Sequence, residues 1–307
     1  MGSMLNPGGN SPTLMSPAEL QEGVASLSRG LYFKEASLDV TLSVLTEAAA
    51  QMSGVERVGI WALTDDQQEL RCLERFERSS GRHLSGGGLS ASRFPAYFGG
   101  LRSEACIAAD DVFAHPLTSE LTVDYLQANR ISAKLDTPIH IRGVLQGVLT
   151  LEQVGARQPW TPAHRMFAQA VANLVTLALV EYEADEARRQ AELARERMQA
   201  VFDASRDALL LADGDSGVIL DANRQAERLF GCLRSELVGK HQRQLHPPAQ
   251  QVQIAGEFNC HVNGQSVQAV TTEIQRGDGR VVPVHIETEV ADISDGRRLA
   301  LGIFREI

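Results

Sequence analysis

The sequence has no two cysteines at ligand or redox spacing: Cys72, Cys106, Cys232 and Cys260 stand far apart, with no CxxC and no Cys/His cluster. A structural zinc site or a disulfide framework is therefore not expected, and reduced, buried or idle thiols are. No apolar run approaches the roughly 20 residues that span a bilayer, and no signal peptide opens the chain. Positive charge is outnumbered, with 29 Lys+Arg against 39 Asp+Glu and a formal net charge of -10. Without a basic face there is no electrostatic footprint for nucleic acid or for anionic lipid. Neither partner is expected, and the compartment reads as cytoplasmic. The triple glycine Gly86-Gly87-Gly88 lacks a following Gly-Lys-Ser/Thr, so it is not a P-loop. The doublets Asp65-Asp66 and Asp110-Asp111 put neighbouring side chains on opposite faces of an extended strand and read as solvated turns. No catalytic residue and no metal ligand is expected.

What is present is enough material for two cores, with 43% apolar residues over 307 positions. Residues 1–16 read as a tag (Met1-Gly2-Ser3-Met4) and a loose Gly/Pro/Ser leader. Two helices follow, at 17–31 with Leu20, Val24, Leu27 and Leu31 in phase, and at 36–52 ending at Gly54. Strands are expected at 55–63 and 69–75. Residues 79–104 read as a long glycine-rich connection around one short helix, and such connections often serve as binding loops. A helix at 118–129 leads into strands 133–141 and 144–153, turned by Arg142-Gly143. Thr161-Pro162 starts a long helix, with Thr161 as N-cap.

In that helix Leu177, Val180, Ala184, Ala187, Ala191, Ala194, Met198 and Val201 recur at alternating steps of three and four. This is the a/d seam of a coiled coil, and the competing reading is a helix packed on its own domain. Half of the seam is alanine, which buries little area per step, so two chains would be held weakly and could shift register. A parallel homodimer suited to relaying a signal is expected.

Beyond Asp207, strands are expected at 208–213 and 218–221, short helices at 223–230 and 234–238, and a longer helix at 249–262. Strands at 267–276, 280–291 and 298–306 finish the chain, with Gly277-Asp278-Gly279 and Asp295-Gly296 as turns. The fold class is α+β: two antiparallel sheets flanked by helices and joined by a long coiled-coil helix. The divisions fall at 1–16 (leader), 17–180, 181–204 (signalling helix) and 205–307.

The stretch ALLLADGDSGVILDANRQAERLFGCLRSELVGKH, with RGDGRVVPVHIETEV and LGIFREI, resembles a bacterial PAS domain over 198–307. YLQANRISAKLDTPIHIRGVLQGVLTLEQVG, with WTPAHRMFAQAVANLVTLAL, resembles a GAF domain over about 20–180. The resemblance implies the sensory input region of a longer signalling protein, continuing past Ile307 into an output domain. A GGDEF/EAL enzyme of cyclic-di-GMP signalling is favoured there, and a histidine kinase comes next. It implies no flavin, because Gln242 stands where flavin-binding PAS sensors carry cysteine. It implies no bilin, because Leu121-Thr122 stand where bilin-binding GAF domains carry Cys-His. The haem-ligand position of PAS sensors falls on Gln253; His261 and Cys260 nearby are the remaining iron ligands, with surface residues at a helix end the preferred reading.

Candidate ligand-binding residues are Trp61, Phe76, Phe98, Asp110 and Tyr125 in the first half and Leu211, Asn223, Phe230 and Phe258 in the second. Each has ordinary core packing as its competing reading, and Asn223 also suits a helix cap. A small-molecule ligand of unstated identity is expected. Two alternatives remain: a ligand-free dimerisation scaffold, and a GAF-type free methionine sulfoxide reductase, which would require Cys72 and Cys106 to act as a redox pair.

Overall fold

A computed structural model describes residues 16–29, 36–155, 157–265 and 269–307. It divides into two compact units, 1–187 and 188–307. Leu31 of the first expected helix lies outside the described residues, as does the side chain of Leu20.

The first unit opens with α1 (Pro17–Ser28) and α2 (Leu38–Ser53). Ser16 and Glu19 form a capping box ahead of α1. Gly54 ends α2 at φ 70°, a left-handed position that favours glycine. The sheet comprises β1 (Arg57–Leu63), β2 (Glu69–Glu77), β3 (Arg82–Leu84), β4 (Gly88–Ser90), β5 (Ile107–Ala109), β6 (Ile131–Ile141) and β7 (Val144–Val154). Their order is β3-β2-β1-β7-β6-β5, antiparallel throughout, with β4 also on β2. Arg142 and Gly143 both take positive φ, 53° and 79°, as a two-residue hairpin turn requires.

Two expectations need correction here. The 79–104 connection contains, besides its expected short helix, α3 (Pro95–Ser103), two strands, β3 and β4, because its short runs find ladder partners on β2. The expected 118–129 helix is a 3₁₀ turn (Ser119–Leu121) followed by a π turn (Thr122–Leu126).

One face of this sheet packs on α1, α2 and the start of α4 (Pro162–Ala204) through Leu42, Leu45, Val58, Ile60, Leu149 and Leu151. Fully burying each such side chain contributes about 1.5–3 kcal/mol. The other face is covered by α3 and the 119–126 turns, through Tyr97, Phe98, Leu101 and Leu126. On α4 the buried stripe runs Phe167, Ala168, Val171, Ala172, Leu174, Val175 and Ala178. An 18-residue window of this helix has a mean hydropathy of 1.2, and 44% of the window is buried; core packing on one face accounts for that apolarity. All eight seam residues point elsewhere and are exposed, the four larger ones from Val180 at 39% to Met198 and Val201 at 74%.

The second unit has a five-stranded antiparallel sheet in the order β10-β11-β12-β8-β9. The strands are β8 (Ala208–Asp213), β9 (Ile219–Ala222), β10 (Val270–Gln275), β11 (Val281–Asp292) and β12 (Arg298–Glu306). Between β9 and β10 lie α5 (Arg224–Phe230), α6 (Arg234–Leu237), a 3₁₀ turn (Gln242–Leu245) and α7 (Gln251–Val262). Phe230 and Phe304 meet edge-on at 5.4 Å within its core.

Candidate functional site

The centre of the first sheet alternates strictly. Leu135, Leu149 and Leu151 face the helix layer, while Lys134, Asp136, Thr150 and Glu152 face the cap and are almost wholly buried. Lys134 Nζ pairs with Asp136 Oδ1 and lies 3.7 Å from Glu152 Oε1. Tyr97, on α3, donates its hydroxyl to Asp136 Oδ2 at 2.9 Å, and Tyr125, on the π turn, donates to Glu152 Oε1 at 2.7 Å. Two phenolic hydroxyls thus tie the cap to the sheet. Burial pushes both carboxyls above the usual range, while Lys134 pulls them back. The tyrosines are pushed well above their ordinary value by burial, and secondarily by the carboxylates.

A cleft of about 430 Å³ opens beside this network, lined by Trp61, Arg75, Phe94, Tyr125, Asn129 and the Gly86–Gly88 segment. Trp61 and Tyr125 meet edge-on at 5.7 Å. Arg93 and Asp124 pair at 2.6 Å and also line the cleft. Trp61 Nε1 and Arg75 Nε are buried without an acceptor among the described residues.

Of the residues singled out in this half, Trp61 and Tyr125 line the cleft, and three do not. Phe76 faces the helix layer and meets His83 at 4.9 Å with the rings tilted by 47°. The reason is a bulge: Ile60 pairs with Glu74 but Trp61 pairs with Cys72, which leaves Leu73 unopposed. The extra residue reverses the alternation, so Arg75, not Phe76, shares a face with Cys72 and Trp61. Phe98 is fully buried against the cap interior. Asp110 accepts the Trp160 N–H at 2.7 Å, and Asp111 pairs with Arg157, so this doublet holds the entry to α4. At that entry Thr161 is the N-cap in a box with His164: His164 Nδ1 accepts the Thr161 N–H at 3.1 Å, and Thr161 Oγ1 accepts the His164 N–H at 3.4 Å.

The second unit holds a cavity of about 60 Å³ on its inner sheet face, walled by Leu210, Ala212, Phe258, Ala300 and Phe304. Gln242, His246, Glu257 and His261 also line it, and Gln242 Nε2 and Glu257 Oε2 have no partner among the described residues. His246 Nδ1 donates to the Glu273 carbonyl at 2.7 Å, and burial keeps the ring below the usual histidine range. Cys260 is exposed, and Gln253 bonds Glu257 at 2.9 Å. No group of three or more potential metal ligands occurs among the described residues.

Of the singled-out residues in this half, Phe258 lines the cavity. Leu211 lies on the opposite face of β8 from Leu210 and Ala212. Phe230 is core. Asn223 is a fully buried structural tie. Its Oδ1 accepts the Leu209 and Ala226 N–H groups at 2.9 and 2.8 Å, and its Nδ2 donates to the Phe202 and Asp207 carbonyls, both at 3.0 Å.

Comparison with known proteins follows the same division. The GAF domain family matches residues 37–179, and the PAS fold matches residues 196–307. A protein of Azorhizobium caulinodans is 28% identical over 182 residues, which is 56% of this chain and 23% of that protein; the chain spans under a quarter of its length. The GAF domain of an Acinetobacter phosphoenolpyruvate-protein phosphotransferase is 15% identical, with a TM-score of 0.44, covering 56% of this chain and 99% of that one. A PAS domain from Colwellia psychrerythraea is 26% identical, with a TM-score of 0.34, covering 38% of this chain and 97% of that one. Residues 37–179 of this chain are a GAF domain and residues 196–307 a PAS domain, the pair found in sensory signalling proteins.

Proposed function

We propose that the chain is the cytoplasmic sensory input portion of a bacterial signal-transduction protein. The GAF cleft takes a small ligand, and its state passes along α4, paired with a second copy of the same helix, through the PAS domain to an output domain. A diguanylate cyclase or cyclic-di-GMP phosphodiesterase is favoured as that output, and a histidine kinase comes next. The observation that carries this reading is the seam. Its eight apolar residues keep a 3–4 spacing over three heptads, and every one is exposed on a helix that buries a different stripe. A second copy of the chain supplies the same spacing and so completes a self-complementary interface.

The reductase alternative is disfavoured by the state of Cys72. Burial pushes its thiol up to about 11, so it keeps its proton at neutral pH and is a poor nucleophile.

Cross-linking tests the dimer. In a Cys260→Ser background, oxidation of the single variants Ala184→Cys, Ala191→Cys and Met198→Cys should each give a disulfide-linked dimer. A parallel, in-register pair brings like positions together at every one of these steps, whereas an antiparallel pair does so at one point at most. A chain that stays monomeric in sedimentation at high concentration would sink the reading. In the whole protein, a three-residue deletion at 188–190 should break signalling while a seven-residue deletion preserves it.

A further inference from the structure

The GAF cleft contains two donors that no group among the described residues satisfies, Trp61 Nε1 and Arg75 Nε. Trp61 is 4% exposed, and a buried donor left unpaired costs about 1–3 kcal/mol. Both residues line the same cleft. Gly59 pairs with Arg75 in the ladder, and a Cβ built on Gly59 would stand 3.1 Å from Trp61 Nε1. The indole N–H edge therefore lies over Gly59, whose ladder partner is Arg75.

The charges around the cleft single out the same residue. Arg93 is closed on Asp124. Among the described residues the one carboxylate within 4 Å of Arg75 is Glu77, at 3.9 Å from Nη2, and Glu77 is already held by Arg57 at 3.0 Å. Arg75 thus presents a guanidinium edge whose nearest carboxylate is 3.9 Å away and shared with Arg57, in a cleft whose walls include Trp61, Phe94 and Tyr125. A guanidinium edge matches the two oxygens of a carboxylate or phosphate, and aromatic walls suit a flat apolar body.

We infer that the GAF cleft takes a flat organic oxyanion, an aromatic carboxylate or phosphate monoester. Its oxygens sit on the Arg75 Nε–Nη2 edge and Trp61 Nε1, and its ring lies against the aromatic wall. This rests on the reading of the cleft as the ligand site and adds the class of ligand.

The test is calorimetric titration of the whole chain with benzoate, phenyl phosphate and neutral benzamide, alongside Trp61 emission in a Trp160→Phe background. At least one oxyanion should bind about tenfold or more tightly than benzamide and shift Trp61 emission. Arg75→Gln should remove that preference, and Arg75→Lys should keep part of it. Benzoate binding tighter than phenyl phosphate would assign a carboxylate, and the reverse order a phosphate. Benzamide binding as well as the oxyanions would overturn the oxyanion inference while leaving the cleft a ligand site. Absence of binding by all three, with the fold intact and Trp61 emission unmoved, would overturn both.

Discussion

On the GAF sheet, the face under the cap carries Lys134, Asp136, Thr150 and Glu152 at its buried centre. On the PAS sheet, the face under the helices carries Leu210, Ala212, Ala300, Gly302 and Phe304. Both faces adjoin a cavity, but they are organised by different forces. In the GAF domain, direction-dependent bonds from Tyr97 and Tyr125 fix where the cap sits, and the charges are costly to expose singly. In the PAS domain, the size of the space follows from side-chain volume, and all the polar lining residues except Thr288 of β11 enter from the helix side. The GAF cleft should therefore be sensitive to changes of charge, and the PAS cavity to changes of volume and of the ties that hold its frame.

The largest effect should come from Lys134→Met, which leaves two buried carboxylates without their cation. Removing one partner of a buried pair costs about 3–5 kcal/mol. Hydrogen exchange should show the loss in β6 and β7 and leave the PAS strands protected. The pH dependence has a definite sign. Both carboxyls already sit above their ordinary values, and without Lys134 they rise further. The folded variant then binds more protons than the unfolded chain, so its stability is greatest at acid pH and falls as pH rises through the folded-state values. A defect that deepens on acidification would contradict the buried-network account.

Asn223→Ala should rank next, with a loss of about 2 kcal/mol from a vacated cap and unpaired backbone groups. Its exchange signature should fall on β8 and α5 and spare the GAF sheet. Equal loss of protection in both domains would break the comparison. The smallest effect belongs to Arg93→Gln. Its ion pair with Asp124 is partly exposed, with side-chain exposures of 63% and 34%, and such pairs contribute about 0–1 kcal/mol. Melting should hardly move, even though the rim of the GAF cleft has lost a cation.

Local signals in the sequence were sufficient for much of this. The Thr161-Pro162 start of α4 and the Arg142-Gly143 turn each depend on a few neighbouring residues, and each has its structural counterpart. What escaped depends on partners distant in the chain. The bulge at Leu73 exists only relative to β1, so uninterrupted alternation along β2 selects Phe76 and passes over Arg75. β5 is three residues long and is a strand because β6 lies beside it. The charged face of β6 and β7 leaves a trace at period two, in Lys134-Leu135-Asp136 and Thr150-Leu151-Glu152. Its meaning as a buried cluster appears only when the hairpin brings Glu152 opposite Lys134. Asp110 was noticed for its carboxylate, but its role is set by Trp160, 50 residues away.

That last tether has a consequence for local opening. Asp110 and Asp111 follow directly on β5 and grip Trp160 and Arg157, while a few residues later the same segment carries the 119–126 turns with Tyr125. The GAF cap and the opening turn of α4 therefore share one stretch of chain. Fluctuations that lift one should loosen the other, so the amides of 119–126 and 162–166 should exchange as a single cooperative unit.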